Sequence, residues 1–262
     1  MTGASESAAP EEPADPGDPP FPVPAAVLGR IPTGTSLRRE LAAAARSRGR
    51  ESSVRDDLGR LRDEIAAIEV DTVDLAAARR RVAEASGEEE RLKERVAALR
   101  GDVRARRAVE AETDDALGDL ESAAAELSTA QTERIAAEQA LERARKRATR
   151  ARDRRERLLE LGDRLRNRRR EARRELAGEV YPAFRDALAA VPGAAPQRAG
   201  SEPSEYDGPR LAASLAAVRI ADLDAAVALG AEAASWIDER GEKPPEAVLD
   251  AAVVRPDSAP DS

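Results

Sequence analysis

The chain has 262 residues, with 51 carboxylates against 43 basic side chains and neither histidine nor cysteine. Disulfides, thiolate chemistry, cysteine or histidine metal sites and the usual neutral-pH acid–base residue are thereby excluded. Leu, Ile, Val and Phe total 47, too few for a large core, whereas Ala, Glu, Lys, Leu and Arg total 153, the composition of long helices.

In chain order, residues 1–24 carry seven prolines and five carboxylates and read as a disordered acidic leader. Residues 25–50 predict an N-terminal helix. In Gly34–Gly49, Ser36 suits the N-cap, Glu40 the first turn and Gly49 the stop, with Leu37, Leu41 and Ala44 on one face. A second helix is predicted from Ser53, with Asp56 completing a capping box. Its apolar residues Val54, Leu58, Leu61, Ile65 and Ile68 step by heptad spacing. Residues 69–75 interrupt that frame.

A new frame runs through Leu75, Ala78, Val82, Ala85, Leu92, Val96, Leu99 and Val103. A third runs through Leu117, Leu120, Ala124, Leu127, Gln131 and Leu141, and resumes after a slip at Ala144, Ala148, Ala151, Leu158, Leu165, Ala172 and Leu176. No proline lies between Pro32 and Pro182. Residues 110–116 suit a turn, where Thr113 can cap a new helix and Asp114 and Asp115 favour its positive end.

The predicted fold is mainly α: a long antiparallel coiled-coil helical hairpin over 51–180, with a small C-terminal α/β head over 181–256. Each arm would run about 90 Å at 1.5 Å per residue. Charge favours the hairpin over a continuous rod. Segment 51–70 (net −3) would face the block Arg143–Arg174 (16 basic and 5 acidic residues), and 75–107 (net +4) would face 110–140 (net −8). In this arrangement the helix of residues 36–48 packs on the head.

None of the five aromatics lies between Pro22 and Val180, which places any compact core near the C-terminus. There, Leu223–Gly230 and Leu249–Pro256 are near copies, "LDAAVALG" and "LDAAVVRP", spaced to allow a strand, a helical crossover and a parallel strand. The competing reading is two Ala-rich helix ends. Residues 193–209 read as loop, and 257–262 as a disordered tail.

The Arg-rich block is the candidate binding surface, with Arg145, Lys146, Arg147, Arg150, Arg154 and Arg157 as phosphate contacts. Its interspersed carboxylates and its lack of aromatics favour a solvated, partly ion-paired helix face instead. Gly29–Ser36 precedes a helix but lacks the P-loop lysine and glycine spacing. No cofactor, metal or catalytic residue is expected. The reading is a non-catalytic structural or interaction protein, with a protein partner or self-association. Nucleic-acid association is the alternative, and no membrane is involved. No run approaches the roughly 18 apolar residues of a membrane span, and the start of the chain is unlike a signal peptide, so a cytoplasmic location is expected.

Lysine occurs three times against 40 arginines. With the acid excess, this suggests a salt-loving organism, a high-GC genome being the other source of such bias. Arg30–Gly49, Asp74–Ala85, Thr132–Ala148 and "LDAAVVRP" together resemble a family of uncharacterised haloarchaeal coiled-coil proteins. The resemblance spans roughly 25–256 and implies a halophilic, cytoplasmic protein, with no activity or site attached.

Overall fold

The computed structural model describes residues 21–241 and 243–255. The predicted tail and the leader up to residue 20 lie outside the described residues. The described chain is mainly helical, with eight α-helices and three short strands. It divides into two compact units, one formed by residues up to 67 and from 160 onward, the other by 68–159.

In the first unit, α1 (Pro24–Leu28) begins at the last residue assigned to the leader, with proline at the position where its missing N–H costs nothing. Strand β1 (Arg30–Ile31) follows, then α2 (Leu37–Ser47) and α3 (Arg55–Ala66). Helix α2 ends as its sequence predicts. Gly49 takes φ +72°, its N–H reaches the Arg46 carbonyl at 3.0 Å, and the Arg50 N–H reaches Ala45 at 3.0 Å.

The capping box expected at Ser53 does not form. Helix α3 opens two residues later, with Val54 at the N-cap and no side-chain cap. The serine donors go elsewhere: the Ser52 hydroxyl, the Ser53 N–H (3.0 Å) and the Ser53 hydroxyl (3.1 Å) all donate to the Glu175 carboxylate. Glu175 thus takes the Ser53 N–H that Asp56 would accept in a capping box.

Helix α5 (Asp114–Leu188) ends in this unit, followed by α6 (Arg210–Arg219), β2 (Val227–Leu229), α7 (Ala231–Arg240), α8 (Pro245–Leu249) and β3 (Val253–Val254). The strands form a parallel sheet in the order β1-β2-β3. Val227 pairs with Val253 and Ala228 with Val254, so the two near-repeats become adjacent strands. Arg30 pairs with Ala228 and Ile31 with Leu229, which adds an edge strand that the sequence reading lacked.

Leu211 to Val218 of α6 are all buried, and this helix is apolar on every side because it is enclosed. Around it pack Leu28, Ile31, Leu41, Phe184, Leu188, Leu229, Ile237 and Leu249. Phe184 stacks on Tyr181 at 5.4 Å and meets Tyr206 edge-on at 5.6 Å. A smaller cluster joins Val54 and Leu58 of α3 to Ala172 of α5, with Phe21 and Leu165 packed against it.

The second unit contains α4 (Leu75–Ala108) and the first part of α5. Asp74 caps α4 by accepting the Ala77 N–H at 2.8 Å. At the other end Glu110 adopts φ +54°, and the Glu110 and Ala111 N–H groups reach Arg107 (3.3 Å) and Arg106 (3.0 Å). This closes α4 as a glycine would. The Leu117 N–H then donates to the Thr113 carbonyl at 2.9 Å, which puts Thr113 at the head of α5.

Leu92, Val96 and Val103 of α4 are buried, as are Ala116, Ala123, Ala130, Leu141, Ala144 and Ala151 of α5. The first part of the α5 frame is therefore corrected by one residue at alternate positions. Ala116, Ala123 and Ala130 occupy the seam; Leu117 is half-buried, and Ala124 and Gln131 are exposed. Closeness of approach favours the small side chain, a choice that hydrophobicity alone misjudges.

Candidate functional site

With about 100° per residue, α5 places Lys146, Arg147, Arg150, Arg154 and Arg157 in one arc of about 100°, while Arg145 lies about 150° from its centre. All six predicted side chains are exposed. They are not equivalent. Arg145 (3.7 Å) and Lys146 (3.9 Å) share Glu142 on their own helix. Arg154 donates to the Glu69 carbonyl at 3.1 Å and to Asp71 at 3.3 Å, fastening the segment before α4. Arg147 borders a crevice of about 230 Å3 lined by Ala77, Ala78, Ala137, Ala140 and Arg81. No aromatic residue occurs in 68–159, so this face can offer charge to phosphates but no stacking platform to bases.

A polar layer interrupts the apolar seam of the same unit. Glu89 fills the heptad slot between Ala85 and Leu92 and is only 6% exposed. Arg134 meets it from α5 at 2.5 Å and Lys93 from its own helix at 3.0 Å. The Lys93 hydrogen bond, then the Lys93 and Arg134 charges, hold the Glu89 carboxyl below its usual range against the opposing effect of burial. A polar layer of this kind fixes register more than it stabilises.

A second polar cluster lies in the first unit where β1 leads into α2. Glu40 is fully buried. Its Oε1 accepts from Ser214 (3.0 Å), Arg210 (2.9 Å) and the Thr33 hydroxyl, while Arg210 also donates to the Thr35 carbonyl. The cluster ties the loop 32–36 to α6. Glu40 Oε2 and Thr35 Oγ1 are buried without a protein partner. An open cleft of about 610 Å3 lies elsewhere in this unit, bordered by Arg48, Asp186, Arg219, Asp222 and Asp250. Arg219 is already committed there, donating to the Ala247 (2.8 Å) and Val248 (2.7 Å) carbonyls. No group of three or more acidic side chains among the described residues is placed to hold a metal ion. No described helix is long and apolar enough to cross a membrane.

Sequence reasoning passed over Glu89 and placed Glu40 only as a first-turn carboxylate of α2. The signal for Glu89 was present, since the frame of α4 skips one slot and a glutamate occupies it. The burial of Glu40 carried no such signal, because its donors come from residues 33, 210 and 214, and only the fold brings them together.

A family model described as a family of unknown function (DUF7856) matches residues 8–253, and the chain belongs to that family. Comparison with curated proteins gave no match, and comparison with solved structures gave none either.

Proposed function

We propose that this family member is a non-catalytic interaction protein whose α4 and the first part of α5 fold back as an antiparallel coiled-coil hairpin, offering their outer faces to a protein partner or a second copy. The order of the cross-helix ion pairs carries this reading. Asp71 meets Arg154, Glu89 meets Arg134 and Arg95 meets Glu126 at 3.4 Å, so partner numbers fall as chain numbers rise. The alanine seam supports it, since small side chains let two helices approach closely. Val109, Ile135 and Leu159 are exposed singly, Ile135 and Leu159 about 36 Å apart along α5, so they would be separate contact points and not one patch. A chain without histidine or cysteine fits a binding role, and a halophilic cytoplasm is the setting that its acid excess suggests.

Capture experiments in native salt test the proposal. A tagged chain should retain a partner or a second copy, and Val109→Asp/Ile135→Asp/Leu159→Asp should lose it while keeping its helical circular dichroism. Unchanged capture by the triple variant would sink the reading.

The exposed arc Lys146–Arg157 favours a second reading, association with nucleic acid through phosphate contacts. Duplex DNA titrated at several salt concentrations separates the two. This reading needs binding at low salt that weakens on substitution of Arg147 and Arg150 by Gln.

A further inference from the structure

Helix α5 buries Ala116, Ala123, Ala130, Ala144 and Ala151 on one seven-residue frame, with Ala137 half-buried on it. The positions two, five and six residues after each of these lie on the opposite side of the helix and are all exposed. That outer face carries charge only towards its ends. Asp114, Asp115 and Glu121 stand at one end, and Arg143, Lys146 and Arg150 at the other, where Lys146 shares Glu142 with Arg145. Among the described residues none of Asp114, Asp115, Glu121, Arg143 and Arg150 forms an ion pair within the chain. From 122 to 139 the face has no charge, in a chain that is 36% charged, so it is unlike an ordinary solvated helix face. Thr129 and Thr132 donate to the Ala125 (3.2 Å) and Ser128 (3.0 Å) carbonyls of their own helix, so neither hydroxyl needs another acceptor. Ile135, among them, is 48% exposed.

An acidic end, an uncharged middle and a basic end are complementary to the same face turned end for end, which is the geometry of an isologous contact. A polyanion would satisfy the basic end alone and would set phosphates against Asp114, Asp115 and Glu121. We propose that a second copy of this chain packs antiparallel on the outer face of α5, with the two-fold axis at Thr132. The inference rests on the reading of α4 and α5 as an interaction surface and narrows the partner to the chain itself. In this register Asp114 faces Arg150, Glu121 faces Arg143 and Ile135 faces Thr129 of the second copy. Glu126 and Glu138 face each other at its border, but each is held by an arginine of its own unit, Arg95 at 3.4 Å and Arg134. The overlap from 114 to 150 runs about 54 Å at 1.5 Å per residue. It lies wholly inside the compact unit 68–159.

Sedimentation equilibrium of the full chain tests the proposal and should show monomers in exchange with dimers. Glu121→Arg and Arg143→Glu should each weaken the dimer by about ten-fold or more, because each sets two like-charged pairs across the axis. Mixing the two variants should restore it, since every such pair in the mixed dimer is again of opposite charge. Both positions are exposed, so helical circular dichroism should be unchanged. The absence of cysteine allows the register to be read separately. Thr132→Cys should form a disulfide between copies, whereas Ala125→Cys should not, because its two copies lie about 21 Å apart along the helix. Equal linking at both positions would mean parallel pairing and overturn the register. A chain monomeric at every concentration, or a mixture no tighter than either variant alone, would overturn the self-pairing. Capture of a different protein, abolished by Val109→Asp/Ile135→Asp/Leu159→Asp, would then leave the broader interaction reading standing.

Discussion

Single side chains show how this low-aromatic chain fixes its fold. Glu40 gathers Arg210, Ser214 and Thr33 on one buried oxygen, so truncation strands the buried Ser214 hydroxyl and costs Arg210 and Thr33 an acceptor. Glu40→Ala should cost about 2–4 kcal/mol, discounted for the half-exposed Arg210, and Glu40→Gln clearly less, as read by denaturant melts. The two tyrosines give an optical test. Burial pushes the Tyr206 phenol up to about 12 and raises Tyr181 as well. Because these folded-state values exceed the unfolded value near 10, the associated stability is present below about pH 10 and is lost as pH rises through the folded values. Absorbance at 295 nm should therefore show less tyrosinate at pH 10.5 in the folded protein than in the same protein unfolded by urea. A normal titration near pH 10 in folded protein would contradict the packing of Phe184, Tyr181 and Tyr206.

At the scale of elements, helix ends were the most legible feature where a single local residue decides. Gly49 acts as its position predicts, and the turn between α4 and α5 lies within 109–113, overlapping the predicted 110–116. The capping box at Ser53 failed because Glu175, distant in sequence, takes the N–H that Asp56 would accept. The near-repeat announced β2 and β3, whereas β1 has two residues and a strand only by virtue of its neighbour, so nothing local could mark it. The Arg-rich stretch was legible as a charged face, but the commitment of Arg154 to Glu69 and Asp71 depends on where α4 begins. Glu110 offers an element-level prediction. A non-glycine residue at φ +54° closes α4, so Glu110→Gly should stabilise the chain by about 1 kcal/mol despite glycine's unfolded-state entropy. Thermal melts read the sign directly, and destabilisation would mean that Glu110 makes a contact worth more than its backbone strain.

Across the whole molecule the charges set a pH window. Hydrogen bonds and nearby cations lower the carboxyls of Glu89, Asp57, Glu175 and Glu205. Folded values below the unfolded ones mean that their contribution is full above about pH 5 and is lost as pH falls through the lowered values. Urea midpoints should thus be flat near neutrality and fall below about pH 4, and Glu89→Gln should make that acid loss shallower. The apolar seams supply most of the attraction, because exposed ion pairs are each worth only about 0–1 kcal/mol and less in salt. The central claim is that one chain supplies both helices of the coiled coil. Its most direct test is Arg95→Cys/Glu126→Cys, two exposed positions on α4 and α5 in a protein with no other cysteine, treated in dilute solution with a short bis-maleimide. The antiparallel hairpin predicts an intramolecular link at monomer mass; links formed only between chains, or none, would contradict it.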